Sequence, residues 1–114
     1  MKVAFYLNNL NFYSIDYQYP EKGNPGIGGT QYMILSLATE LSKQNNVDVI
    51  LFIDKEIKVS PKIKLIVLEK FDDIFNFTNI LASHHLILTY NNQLLSYDFK
   101  TLKAVESLII WAHN

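Results

Sequence analysis

The sequence contains no cysteine and no arginine. Without cysteine there is no disulfide framework, no thiolate metal site and no cysteine redox chemistry. Without arginine the planar two-pronged grip on phosphate or carboxylate cannot be made, so any phosphate must be held by backbone amides or by lysine. The 10 basic residues are all lysine and are scattered among 11 acidic ones, giving a net charge of -1. That balance leaves no electrostatic footprint for nucleic acid or for an anionic membrane. No apolar run approaches the ~20 residues that span a bilayer. The opening run from Met1 to Leu7 breaks at Asn8 and Asn9, too soon for a signal-peptide core and its cleavage site. These absences point to a cytoplasmic chain with no transmembrane segment and no nucleic-acid partner.

What is present suits one globular domain. The 114 residues are 49% hydrophobic and 18% charged, an ordinary composition for a packed core. Five short runs are dense in β-branched and aromatic residues: Val3 to Leu7, Val47 to Ile53, Ile63 to Leu68, Leu86 to Tyr90 and Leu108 to Trp111. Most are apolar almost continuously, the pattern of strands covered on both faces. Between the first two, from Gly29 to Gln44, Met33, Ile34, Leu37, Ala38 and Leu41 recur at helical spacing and predict an amphipathic helix. A second helix is predicted from Phe71 to Ala82, with Asp72 and Asp73 in its first turn and Phe71, Ile74, Phe75, Thr78 and Leu81 on one face. A third covers part of Asn92 to Glu106 through Leu94, Leu95, Phe99 and Leu102.

This order predicts an α/β, Rossmann-like fold with a mainly parallel five-stranded sheet and helices on both faces. The connection from Asp54 to Lys62 contains Pro61 and no helical pattern. A parallel crossover usually needs a dozen or more residues. The third strand is therefore either an edge strand reached by an extended segment or an antiparallel partner of the second.

In an open α/β sheet the ligand crevice lies beyond the carboxyl ends of the strands. The residues expected there are Asn8, Asn9, Asp54, Tyr90, Asn91, His113 and Asn114. Asparagine, tyrosine and histidine suit hydrogen bonding to hydroxyl-rich ligands, although loops also favour Asn and Asp for turn geometry alone. The stretch Gly23-Asn-Pro-Gly26-Ile-Gly28-Gly29-Thr30 leads into the first helix, where free amides and the positive end of the helix dipole can hold an anion. The alternative is a flexible helix entry capped by Gly28 or Thr30. It is not a P-loop, because no Gly-Lys follows. As a dinucleotide fingerprint it meets Gln31 at the third small position and begins too far from the first strand. Asp54 alone would fit a ribose-binding acid. The long insertion before the glycines carries Phe12, Tyr13, Tyr17 and Tyr19, which can stack on a sugar, form a lid, or fold back as local core. His84 and His85 have no Cys or carboxylate at ligand spacing and read as helix-end or surface residues; no metal is expected.

Lys2-Val-Ala-Phe-Tyr-Leu7, then Gly-Ile-Gly28-Gly29-Thr30-Gln31 opening a helix, Val47-Asp-Val-Ile-Leu51, and the terminal Ile109-Ile-Trp-Ala-His113-Asn114 together resemble the start of family 4 glycosyltransferases. The resemblance covers nearly the whole chain in element order, with the Gly-Gly helix entry and the histidine as its specific features. Gln31 departs from the glutamate often found there. The resemblance implies the acceptor-side domain of a two-domain GT-B enzyme, without a metal or other cofactor and inactive alone. Its partners would be a nucleotide-sugar donor, a glycan, lipid or other hydroxyl acceptor, and a carboxy-terminal donor-binding domain. It implies that Gly28, Gly29 and Thr30 lie on the donor phosphate side and that His113 lies beside the reacting sugar. Asn8, Asn9, Tyr13, Tyr17, Tyr90, Asn91 and Asn114 then line the cleft or meet the acceptor. The complete protein would act in the cytoplasm or peripherally at a membrane. The alternatives are a freestanding α/β module for a small molecule or protein, half of a two-chain glycosyltransferase and, more weakly, a dinucleotide-binding domain.

Overall fold

The computed structural model describes residues 1–7, 16–19, 22–23, 29–89, 99, 102 and 104–111. Five strands form one sheet: β1 (Lys2–Leu7), β2 (Asp48–Ile53), β3 (Ile63–Val67), β4 (His85–Thr89) and β5 (Ser107–Trp111). Their spatial order is β3-β2-β1-β4-β5, and every neighbouring pair is parallel. The α-helix α1 (Gly29–Ser42) follows β1, and a 3-10 helix (Phe71–Phe77) follows β3. The fold is therefore the α/β, Rossmann-like arrangement expected from the continuous apolar runs.

The alternation of side chains along each strand divides the core in two. Val3, Phe5 and Leu7 of β1 and Val49, Leu51 and Ile53 of β2 pack against Ile34, Leu35 and Ala38 of α1. Ala4 and Tyr6 of β1, Ile50 and Phe52 of β2, and Leu86 and Leu88 of β4 face the other way, toward Phe71, Ile74 and Leu81. Burying each large side chain of these layers contributes roughly 1.5–3 kcal/mol relative to exposure.

The helix forms where expected, but its buried stripe is rotated. Ile34, Leu35, Ala38, Thr39 and Ser42 face inward, while Met33 is 49% exposed and Leu37 36% exposed. Two hydroxyls make this possible. Thr39 Oγ1 donates to the Leu35 carbonyl at 2.7 Å, and Ser42 Oγ donates to the Thr39 carbonyl at 2.7 Å. Folding back onto the helix backbone satisfies both groups, so they pack as small apolar residues would. Past the end of α1, Lys43 pairs with Glu40 at 3.0 Å. Both partners are exposed, so this pair contributes little to stability.

The second predicted helix is a 3-10 helix ending at Phe77, followed by turns through Ser83. Its apolar anchors explain the tighter winding: Phe71, Ile74 and Phe77 recur every third residue, which a 3-10 helix aligns on a single ridge. Phe71 meets Tyr6 edge to face at 4.8 Å, and Phe77 meets Phe52 at 5.5 Å. These ring contacts hold the short helix on the sheet. At its start, Asp73 accepts a hydrogen bond from the Lys70 backbone amide at 3.4 Å. In the third predicted helix, Phe99 and Leu102 are described and pack on this same face; the rest of 92–103 lies outside the described residues.

The edge-strand alternative holds for β3, which is parallel to β2. Its connection runs extended. Ile57 is buried in the α1 layer, Lys58 forms a parallel bridge with Asp16, and the Tyr17 amide donates to the Lys58 carbonyl at 2.8 Å. A segment that packs and pairs as it travels can make a parallel return without a helix.

The rotated stripe yields a direct test by urea denaturation. Leu35→Ala should lose about 2–5 kcal/mol, the usual cost of truncating a buried leucine. Leu37→Ala should lose less than about 1 kcal/mol, since helix propensity barely changes and little packing is removed.

Candidate functional site

The sheet order sets the site's geometry. From β1 the chain crosses by α1 to β2 on one side, whereas β4 lies on β1's other side and is reached over the opposite face. The two windings diverge between β1 and β4, and it is beyond the carboxyl ends at such a switch point that open α/β sheets bind ligands. Register places Tyr6 beside Leu88, so Leu7 and Thr89 end together at that edge. Asn8 and Asn9 directly follow Leu7, and Tyr90 and Asn91 directly follow Thr89. These four residues lie outside the described residues, as do Tyr13, Gly28, His113 and Asn114.

Gly29 and Thr30 form the first turn of α1. Because α1 connects two parallel strands it must run back against them, so its amino terminus faces the same edge. Its free amides and dipole then present partial positive charge there. The acidic residue absent from this first turn would have opposed an anion.

Asp54 follows β2 at the same edge. Its Oδ1 is buried and has no hydrogen-bond partner among the described residues. A buried carboxylate oxygen left unpaired is costly, which makes it a ready acceptor for a hydroxyl or amide donor. Its position at a strand end was legible in the sequence; its buried, unpaired oxygen was not, because that depends on packing by distant segments.

Tyr17 lies in the core, 3% exposed, within the α1-side layer. Burial pushes its phenol up to about 12. Tyr19 is 53% exposed, with the Lys22 ammonium 4.7 Å from its ring centre. Thus one aromatic of the insertion is local core and another faces outward.

The two adjacent histidines part company. His84 is buried rather than at the surface, with Nδ1 3.2 Å from the Ala82 carbonyl. That carbonyl can only accept, so Nδ1 carries the proton. His85 Nδ1 lies 2.7 Å from Ser107 Oγ, its cross-strand neighbour on β5. Both sit at the amino ends of the strands, away from the crevice. Among the described residues no group of three His, Cys, Asp or Glu could hold a metal ion, and no helix is long and apolar enough to cross a membrane.

The fold is thus a Rossmann-like α/β domain whose topological switch point lies between β1 and β4. Compared with protein-family models, curated proteins and solved structures, the chain matches none.

Tyr17 carries a pH signature. Its folded pKa stands above the ordinary value of 10.0, so the unfolded chain loses this proton first. The stabilisation associated with the neutral buried phenol is present below pH 10 and is lost as pH rises through about 12. Ultraviolet titration should show the Tyr17 phenol ionising late, near pH 12. Tyr17→Phe should remove that late step and flatten the fall in stability over the same range.

Proposed function

We propose that this chain is the acceptor-side, Rossmann-like half of a GT-B glycosyltransferase that moves a sugar from a nucleotide-sugar donor to a hydroxyl acceptor. The observation that supports this reading is the parallel β3-β2-β1-β4-β5 order, whose switch point falls between β1 and β4, the strands that Asn8-Asn9 and Tyr90-Asn91 follow in the sequence. Amide and phenol side chains at a strand-end crevice suit a polyhydroxylated ligand, since each can both donate and accept. The family resemblance of the glycine-rich entry and of the terminal histidine adds the reaction type.

In this reading the amides of Gly29 and Thr30 face the donor phosphate or its sugar across the interdomain cleft. A glycine there lets the ligand approach the backbone without a β-carbon in the way. His113 would hydrogen-bond a hydroxyl of the reacting sugar. Its neutral ring can donate through one nitrogen and accept through the other. Leaving-group stabilisation would fall to the donor-binding domain, so this half alone would be inactive. No metal or cofactor is assigned a part; the complete protein would work in the cytoplasm or at a membrane surface.

Asp54 favours a second reading, a nucleoside- or dinucleotide-binding domain in which its unpaired oxygen accepts from ribose hydroxyls. Calorimetry separates the two. Micromolar binding of a dinucleotide by this chain alone, abolished by Asp54→Asn, would favour the second reading.

For the glycosyltransferase reading, His113→Ala in the complete enzyme should lower turnover roughly 10- to 1,000-fold, about 1.4–4 kcal/mol of transition-state stabilisation. The melting temperature should stay nearly unchanged. Wild-type turnover in that variant between pH 6 and 8, where an unperturbed histidine of pKa about 6.5 changes charge, would remove the histidine from the reaction.

A further inference from the structure

At the opposite edge of the sheet, the amino ends of β1, β2 and β3 form a second recess of about 350 Å³. Three lysines line it: Lys2 opening β1, Lys62 just before β3, and Lys64 within β3. Register gathers them. Lys2 pairs with Asp48, Ile50 pairs with Lys64, and Lys62 precedes Ile63, the partner of Val49. Asp48 is the single carboxylate in the lining among the described residues. Among the described residues none of the three ammonium groups has an ion-pair partner. Three cations against one anion leave an excess of two positive charges around one opening, and their mutual repulsion is relieved only by a bound anion or by solvent.

The rest of the recess is built rather than incidental. Ile50, 5% exposed, supplies an apolar wall, and Ile80 stands at the rim. His84 closes one side, and its backbone is fixed from both directions: its amide donates to the Leu81 carbonyl at 3.0 Å, and its carbonyl accepts from the Glu106 amide at 2.8 Å. The turn that delivers it passes through Ser83 at φ 65°. For a residue bearing a β-carbon this left-handed geometry costs roughly 1–2 kcal/mol. A strained turn that holds a buried ring beside a cationic opening is the kind of local cost found at ligand sites.

We propose that this recess is a binding site for a soluble phosphate monoester. A phosphomonoester is largely a dianion above its second pKa of about 6 and matches the two uncompensated charges. Lysine grips phosphate as a point charge without needing arginine's fork. The volume falls within the range of small-ligand pockets, so the site takes an organic body against Ile50 and Ile80 as well as the phosphate. The site lies at the amino ends of the strands and stands independently of the crevice at the carboxyl ends.

Phenyl phosphate and inorganic phosphate are the probes, titrated into the isotope-labelled full chain at about pH 7.5, above that second pKa, at constant ionic strength set with chloride. Amide chemical shifts should saturate at Lys2, Asp48, Lys64 and His84, with phenyl phosphate the tighter of the two. The double variant Lys62→Gln/Lys64→Gln should raise the dissociation constant at least about tenfold, the equivalent of about 1.4 kcal/mol. Asp48→Asn, which removes the opposing carboxylate, should lower it. Melting curves without phosphate establish that each variant is folded. Shifts that grow linearly without saturation, or an unchanged constant in the double variant, would overturn the assignment. So would capture by phosphatidate vesicles that phenyl phosphate fails to compete, which would make the anion part of a membrane surface.

Discussion

Everything in this domain depends on β1 being hydrogen-bonded on both sides. From Val3 to Leu7 it is at most 4% exposed, paired with β2 along one edge and β4 along the other. In that position its alternate side chains must supply both core layers, and Phe5 and Tyr6 point to opposite faces for that reason. The same double pairing forces the chain to leave β1 over one face and return to β4 over the other. The switch point between β1 and β4 is therefore a consequence of the central strand, not an added feature.

The strands were legible because apolar, β-branched runs have few other stable homes, and each observed boundary lies within a residue of its expected place. The inward stripe of α1 is rotated from the predicted one because Thr39 and Ser42 pack inward, their hydroxyls closing on the helix's own carbonyls and freeing their carbon skeletons to pack. The direction of β3 could not be read from residues 54–62, since the bridge between Lys58 and Asp16 depends on a segment far away in the sequence. The three-residue period of Phe71, Ile74 and Phe77 was present in the sequence, but it overlaps the spacing of an α-helix and is decided by the rings it meets on the sheet.

Site chemistry was less legible than fold for a physical reason. A residue's position after a strand can be read, but whether its polar atoms find partners is settled by packing from elsewhere. Asp54 shows this, its location evident and its unpaired oxygen not. The lysines show it more strongly. Scattered along a chain of net charge -1, they give no sign of a basic site, and only the β1-β2-β3 register draws Lys2, Lys62 and Lys64 around one opening. The two edges of the sheet consequently differ in character, with the amino terminus of α1 at one and three lysines around a recess at the other.

The proposal that the carboxyl ends of β1 and β4 form the working edge is tested most directly by hydrogen–deuterium exchange on the full-length protein. Exchange would be measured with and without a panel of uridine, guanosine and adenosine diphosphate sugars. The expected result is slowed exchange at residues 8–9, at the first turn of α1 and at residues 90–91, with Lys2, Asp48 and His85 at the other edge unchanged. Slowed exchange confined to the amino ends of the strands, or no change at the carboxyl edge with any sugar nucleotide of the panel, would contradict it.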